Sequence, residues 1–214
     1  MVLDPVAHPG PSVGPVRHLI GKAWLKAFGW EIEGRAPDVA HGVFVAAPHT
    51  SNWDLPFTLA IAWSLRIHVS WVGKDALFKP PFGRLMRVLG GVPVDRSKST
   101  GFVAKTAQTI RASERMYLLI APSGTRSHRA HWKGGFYWIA KEADVPLLLG
   151  FLDYGKKRGG IRAVLHPSGD LRADMERIRE AYRGVVGRRP ERTAEPRLAE
   201  ESGSSDVPLA DAAE

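Results

Sequence analysis

Short apolar runs alternate with helical patterns along most of this chain, and this alternation is the strongest constraint on its fold. Several runs are apolar at nearly every position, as at 43–47 and 117–120, which is typical of strands that are buried on both faces. Strands that alternate with helices indicate a central sheet covered on both sides. We therefore predict an α/β fold with a mixed, largely parallel sheet, and we expect functional residues in the loops that leave the strand ends.

The predicted strands cover residues 43–47, 68–72, 92–94, 117–120, 146–152 and 161–165. The predicted helices cover residues 16–28, 54–66, 81–89, 99–113, 133–143 and 171–185. Residues 1–15 contain four prolines and two glycines, and residues 187–214 are almost free of large apolar side chains. These compositions predict a flexible N-terminus and a disordered C-terminal tail around a single domain at 16–186.

The chain of 214 residues has a formal charge of +8, which indicates an anionic partner such as nucleic acid, a phospholipid surface or a phosphorylated ligand. It contains no cysteine, so disulfides, thiolate nucleophiles and Cys-ligated metals are excluded. The N-terminus lacks a secretory pattern, and no apolar run approaches the roughly 20 residues of a membrane span. We expect neither export by such a signal nor a spanning anchor.

The helix predicted at 16–28 is amphipathic and basic. Its apolar positions follow the i, i+3, i+4 spacing of one face and are Val16, Leu19, Ile20, Ala23, Trp24, Ala27 and Phe28. The other side carries Arg17, His18, Lys22 and Lys26. Such a helix suits an anionic membrane interface, and it suits equally a helix that packs on the core with a solvated basic face.

The most informative polar pair is His49 and Asp54. His49 follows the strand at 43–47, and Asp54 begins the helix at 54–66. Across such a turn the carboxylate can reach one imidazole nitrogen, which leaves the other nitrogen to accept a proton. Asp is also a common N-cap residue, and for a bare His and Asp at this spacing capping is the favoured interpretation.

Two further segments contain candidate anion-binding groups. Residues 121–127 follow a strand and combine small residues, hydroxyl side chains and Arg126, which could bind an anion, although a plain turn explains this segment alone. Residues 73–97 interleave cations with aromatic residues, yet contain no nucleic-acid-binding motif with the required spacing.

Taken in order, these segments resemble the glycerolipid acyltransferase family, whose best-known members are the lysophosphatidate acyltransferases. The resemblance runs from about residue 30 to residue 165. It rests on a His-x4-Asp motif at 49–54, a Gly-Gly-x-Pro-x-Asp-Arg block at 90–96, a Gly-Thr-Arg-Ser block at 124–127 and a Val-Pro pair at 145–146, with Lys74 and the Pro-Phe-Gly at 81–83 as landmarks.

This resemblance implies an O-acyltransferase that moves a fatty acyl group to a hydroxyl of a lysophospholipid such as 1-acylglycerol-3-phosphate. The donor would be acyl-CoA or acyl carrier protein, and no metal or other cofactor is expected. His49 would act as general base on the acceptor hydroxyl, and Asp54 would orient the imidazole. Because the acceptor attacks the thioester directly, no enzyme nucleophile is required, which agrees with the absence of cysteine.

The resemblance also implies a set of substrate-binding residues, which are Lys74, Arg96, Ser123, Gly124, Thr125 and Arg126. Arginine presents a planar fork that matches phosphate oxygens. One position departs from the family, which usually carries Glu where this chain has Ser123. The acceptor head group therefore stays open.

As partners we expect a lipid acceptor, a thioester donor and an anionic membrane surface, and no nucleic acid. We expect peripheral attachment to the inner, cytoplasmic face of the cell membrane.

Two alternative functions belong to other classes of protein. One is a serine hydrolase or thioesterase with Ser123 as nucleophile, although Ala121 and Thr125 replace both glycines of the Gly-x-Ser-x-Gly pattern. The other is a non-catalytic lipid- or nucleic-acid-binding module.

Overall fold

Seven strands form one sheet in the computed structural model, which describes residues 10–94 and 101–202. In chain order they are β1 (Glu31–Glu33), β2 (His41–Ala47), β3 (Ser70–Lys74), β4 (Gly91–Val94), β5 (Met116–Ile120), β6 (Leu147–Asp153) and β7 (Arg158–Leu165). Their order across the sheet is β1-β7-β6-β2-β5-β3-β4. Every neighbouring pair is parallel except β6 and β7. The predicted mixed, largely parallel sheet is confirmed.

The sheet order brings several candidate site residues to one edge. β5 and β6 lie on either side of β2 and run parallel to it, and β3 runs parallel to β5. The carboxyl ends of these four strands therefore lie at the same edge. His49, Lys74, Ser123 and Tyr154 all lie at these strand ends or shortly after them.

The α-helices of the described residues are α1 (Pro15–Phe28), α2 (Asp54–Ser64), α3 (Gly83–Val88), α4 (Phe102–Ala112), α5 (Gly135–Ala143) and α6 (Leu171–Tyr182). Each overlaps a predicted helix. α6 is shorter than predicted because the chain leaves helical geometry at Arg183. Strand β1 was not predicted, because its three residues are all exposed and show no apolar run.

Helices cover both faces of the sheet, as its continuously apolar strands require. On one face, α4, α5 and α6 share a core with β2 and β6 that includes Ile110, Phe136, Ile139, Met175, Ile178 and Leu149. On the other face, α2 contributes Leu59 and Ala62 to a core that includes Phe44, Val69 and Tyr117.

Helix α1 packs on α2 through a narrow strip. Its buried residues are Gly21 and Leu25. A Cβ atom at position 21 would lie 2.6 Å from the carbonyl oxygen of Ala60, so glycine permits this close approach. By contrast, Val16 and Leu19 are 69% and 65% exposed. Helix α1 therefore packs on the core through Gly21 and Leu25, while Val16 and Leu19 of its predicted apolar face stay exposed.

Both ends of the described chain pack against the domain more closely than their composition predicted. Residues 187–202 were expected to belong to a disordered tail, yet Leu198 is fully buried in the core beneath α5 and α6. The amide of Trp132 donates to the carbonyl of Arg197 at 2.8 Å. At the other end, Val13 is buried and its amide donates to Arg66 O. The buried Leu198 and Ala194, backbone hydrogen bonds and the 2.6 Å ion pair between Arg179 and Glu201 hold residues 187–202 against the domain, although this segment is largely polar.

Candidate active site

His49 and Asp54 lie at the two ends of the loop that joins β2 to α2. The Nδ1 atom of His49 is 3.1 Å from Oδ2 of Asp54. This contact fixes the imidazole orientation and leaves Nε2 as the nitrogen that can accept a proton. The side chain of His49 is 24% exposed, whereas that of Asp54 is 4% exposed. The imidazole can thus meet a substrate while its carboxylate partner stays buried.

Three hydrogen bonds and the contact with His49 hold the carboxylate of Asp54. Its Oδ2 atom accepts hydrogen bonds from the amides of Thr50 at 2.7 Å and Ser51 at 2.8 Å, in addition to its contact with His49. Its Oδ1 atom accepts a hydrogen bond from the hydroxyl of Tyr154 at 2.9 Å. Both oxygens are therefore engaged, and the plane of the carboxylate is fixed.

These contacts also decide whether Asp54 is a helix N-cap or a partner of His49. An N-cap side chain accepts a hydrogen bond from an amide two or three residues further along the helix. Asp54 is instead the first residue of α2, and its carboxylate binds amides that precede it. The capping position belongs to Trp53, which makes no side-chain cap. Asp54 supports the loop and the imidazole rather than capping the helix.

Tyr154 is a residue of the candidate site that was not predicted from the sequence. It lies 100 residues beyond Asp54, directly after β6, whose register with β2 pairs Phe151 with Ala47. Burial raises the pKa of Tyr154, and the adjacent Asp54 carboxylate raises it further, although Arg188 opposes the shift. The hydroxyl therefore remains a hydrogen-bond donor at ordinary pH. No local sequence pattern marks Tyr154, because its contact with Asp54 arises only when β6 lies beside β2.

The segment after α6 supports the same loop from outside. The amide of Arg189 donates to Oγ1 of the buried Thr50 at 3.2 Å. The guanidinium of Arg188 lies 5.4 Å from the ring centroid of Trp53 and 5.8 Å from that of Tyr154. Residues that were expected to be a disordered tail thus help to fix the loop that carries His49.

A cavity of about 620 Å³ is lined by His49 and Asp54. Its apolar walls include Phe44, Leu55, Ile61, Trp71, Leu119 and Ile139. Lys74, Gly124, Thr125 and Arg126 also line it, so four of the predicted substrate-binding residues share this cavity with the His-Asp pair. Arg96, the remaining predicted arginine, lies outside the described residues. The binding roles of all these residues stay predictions.

Gly124 and Ser123 occupy different environments. Gly124 has a positive φ of 63°, a conformation that glycine adopts without steric cost and that shapes the turn before Thr125. Ser123 is buried, and its hydroxyl donates to the carbonyl of Thr125 at 2.8 Å. The single hydroxyl proton of Ser123 is thus directed to the backbone and not to His49. This geometry lends no support to Ser123 as a nucleophile.

Residues 10–94 and 101–202 contain neither a cluster of metal ligands nor a membrane-spanning helix. No group of three or more His, Cys, Asp or Glu side chains in these ranges is arranged to hold a metal ion. Within the same ranges, none of the helices has the length and apolar character needed to cross a bilayer.

Fold and site together define a class: α/β domains in which a partly exposed histidine, in contact with a buried carboxylate, lines an apolar cavity at the carboxyl edge of the sheet. A histidine in such a setting is chemically able to remove a proton from a hydroxyl group, and an apolar cavity of this size is able to accommodate a hydrocarbon chain. Comparisons with known proteins identify the family within that class.

The family profile described as Acyltransferase matches residues 30–148. The 1-acyl-sn-glycerol-3-phosphate acyltransferase of Streptococcus pneumoniae is 28% identical over an alignment of 127 residues that covers 56% of this chain and 47% of that protein. The crystal structure of the 1-acyl-sn-glycerophosphate (LPA) acyltransferase PlsC from Thermotoga maritima superposes with a TM-score of 0.57 at 19% identity, covering 79% of this chain and 75% of that one. The protein belongs to the Acyltransferase family, and the resemblance to glycerolipid acyltransferases is confirmed. The matched region spans about half the length of the curated relative.

Proposed function

We propose that this protein is an O-acyltransferase that moves a fatty acyl group from a thioester donor to a hydroxyl of a lysophospholipid such as 1-acylglycerol-3-phosphate. The observation that carries the proposal is the contact between His49 and Asp54 at an apolar cavity. Membership of the Acyltransferase family and the name of the S. pneumoniae relative support it. Acyl-CoA and acyl carrier protein both remain candidate donors.

In the proposed reaction, Nε2 of His49 removes the proton from the acceptor hydroxyl. The resulting oxygen nucleophile attacks the thioester carbonyl, so that a C–O bond forms and the C–S bond breaks. The imidazolium then returns the proton to the leaving thiolate. Asp54 keeps the imidazole in position and stabilises its positive charge while it holds the proton. General-base assistance of this kind contributes about 10²–10⁴ in rate.

The cavity suits the two chemical parts of a lysophospholipid or acyl donor. Its volume of about 620 Å³ falls within the roughly 300–1,000 Å³ typical of small-molecule sites. The apolar walls would take a hydrocarbon chain, and Lys74 and Arg126 would face the phosphate of the acceptor or donor. Ser123 stands where the family usually carries Glu, so the acceptor head group need not be that of lysophosphatidate.

We also propose that the protein binds peripherally to an anionic membrane through α1. Val16, Leu19 and Ile20 form an exposed apolar strip on this helix, and the exposed Lys22 and Lys26 supply positive charge beside it. A basic helix with such a strip suits the boundary between anionic head groups and acyl chains. Attachment at the inner face of the cell membrane follows as part of this proposal.

Acceptor dependence tests the proposed reaction. The purified protein is incubated with labelled acyl-CoA or acyl carrier protein, with and without a series of lysophospholipids. We expect thioester consumption only when a lysolipid is present, with one labelled diacyl product formed per thioester consumed. Release of free fatty acid at the same rate without acceptor would instead indicate a thioesterase. Binding of lipid or nucleic acid without any thioester consumption would favour a non-catalytic module.

A further inference from the structure

Tyr154 contacts the His-Asp pair from a part of the chain that lies outside the family match. It comes six residues after residue 148, where the matched region ends. Its hydroxyl donates to Oδ1 of Asp54 at 2.9 Å, while Oδ2 of the same carboxylate faces His49 at 3.1 Å. The two oxygens of Asp54 are thus divided between Tyr154 on one side and His49 with two backbone amides on the other.

This division restricts rotation of the carboxylate about its Cβ–Cγ bond. The amides of Thr50 and Ser51 hold only Oδ2, so they allow the plane of the carboxylate to tilt about that oxygen. The hydroxyl of Tyr154 holds the other oxygen and removes this freedom. Oδ2 is then presented to Nδ1 of His49 in one orientation, and the imidazole is fixed with it.

The surroundings of Tyr154 keep its hydroxyl in place. Its ring packs edge-on against Trp30 with centroids 4.9 Å apart and against Phe57 with centroids 5.8 Å apart. Its backbone amide donates to the carbonyl of Val186 at 2.8 Å. The charged groups that face the hydroxyl are the Asp54 carboxylate and the Arg188 guanidinium over the ring. A donor with these restraints is preorganised before any substrate binds.

We propose that Tyr154 is a positioning residue for the reaction, acting through Asp54 to hold the imidazole of His49 in its proton-accepting orientation. The proposal rests on the proposed acyltransferase function. It assigns a role to the hydroxyl itself, separate from the packing of the ring. A residue that served packing alone would affect stability through its ring and would not affect catalysis through its oxygen.

The chain contains a matched control for this hydroxyl. Tyr137 of α5 donates to Oδ2 of the buried Asp174 of α6, also at 2.9 Å. Tyr154→Phe and Tyr137→Phe therefore each remove one tyrosine hydroxyl from one buried carboxylate. Only the first change involves the carboxylate that contacts His49.

Steady-state kinetics of the full chain compare the two variants. We expect Tyr154→Phe to lower kcat about tenfold, with the KM values of donor and acceptor within about twofold of wild type. Tyr137→Phe should keep kcat within about twofold of wild type at a temperature where both variants are folded. An unchanged kcat for Tyr154→Phe, or an equal loss in both variants, would overturn the proposal.

A spectroscopic measurement without substrates separates this proposal from the proposed function. In proton NMR, the Nδ1 proton of His49 bound to Asp54 should give a low-field signal in wild type and in Tyr137→Phe. Tyr154→Phe should shift or broaden that signal, and an identical signal in all three proteins would overturn the positioning role. A wild type that transfers no acyl group would overturn the proposed function, while the NMR signal would still decide what Tyr154 does.

A second variant covers the case in which Tyr154→Phe does not fold. Tyr154→3-fluorotyrosine keeps the hydroxyl and nearly the same ring volume. We expect this protein to show the low-field signal and to retain kcat within about threefold of wild type. Loss of both in a folded 3-fluorotyrosine protein would show that ring packing, rather than the hydrogen bond, is what matters at this position.

Discussion

Replacing Asp54 with asparagine keeps the shape of the side chain and removes its charge. The new amide group can face Tyr154, whose hydroxyl oxygen can accept from it, while the remaining carbonyl oxygen can still accept from Thr50, Ser51 and His49. Asp54→Asn therefore removes mainly the electrostatic support for a protonated His49 and leaves the hydrogen-bond geometry nearly intact.

The distance between the two groups sets the expected size of the effect. Unit charges separated by the 3.1 Å between Nδ1 and Oδ2 attract each other by about 5 kcal/mol at an effective dielectric constant of about 20. The partial exposure of His49 allows water to screen some of this attraction, so we expect a loss of about 3–4 kcal/mol. This corresponds to a fall in kcat of roughly 10²–10³-fold. The cost to folding should be only about 1–2 kcal/mol, because the hydrogen bonds from the Thr50 and Ser51 amides are kept and the Tyr154 hydroxyl changes from donor to acceptor.

Asp174→Asn is the matched control for this experiment. Asp174 is as buried as Asp54 and accepts hydrogen bonds from Tyr137 and Ser168, but it makes no contact with His49. Acyl transfer and thermal unfolding are measured on both variants, and both should lose about 2–8 °C in Tm. Only Asp54→Asn should lose most of its transferase activity. The electrostatic reasoning fails if Asp54→Asn stays within threefold of wild type, or if Asp174→Asn loses as much activity.

Three further outcomes are expected. Arg126→Ala should raise the KM for a phosphate-bearing substrate about tenfold with little change in kcat. Arg129→Ala, the control, should change neither constant. A KM for Arg126→Ala equal to that of wild type would show that Arg126 does not bind the phosphate. Leu19→Glu should weaken co-sedimentation of the protein with anionic vesicles. Val164→Glu, at an exposed valine of β7, should not. Equal vesicle binding by Leu19→Glu and wild type would refute attachment through α1. Burial lowers the pKa of His68 and a nearby arginine adds to the shift, so the folded protein takes up a proton there less readily than the unfolded chain. Stability from this group is complete above pH 6.5 and declines below it. His68→Gln should therefore lose less Tm than wild type between pH 7.5 and pH 5.5, and an identical loss would contradict this.

The fold and part of the site were accessible from the sequence for identifiable physical reasons. The continuously apolar strands predicted a sheet covered on both faces, and the structure confirms it. The spacing of His49 and Asp54 across one turn allowed a direct contact, which is present at 3.1 Å. In both cases the pattern is local in sequence, so neighbouring residues carry the information.

Other features depend on which elements become neighbours in space. Tyr154 could not be predicted as a site residue from its position in the sequence, because its contact with Asp54 requires β6 to lie beside β2. Periodicity identified α1 as a helix, but the side that packs was set by Gly21, whose lack of a side chain lets α2 approach. Composition predicted a disordered tail, but the buried Leu198 attaches residues 187–202 to the core.

Transfer of labelled acyl groups by wild type and His49→Ala tests the central claim most directly. Both proteins are supplied with the same acyl-CoA and the same series of lysophospholipids, and His128→Ala, at an exposed histidine, serves as the control. Wild type and His128→Ala should form diacyl product at similar rates, and His49→Ala should be slower by about 10²–10⁴-fold while remaining folded. Equal rates of transfer by wild type and His49→Ala would contradict the account of His49 as the catalytic base.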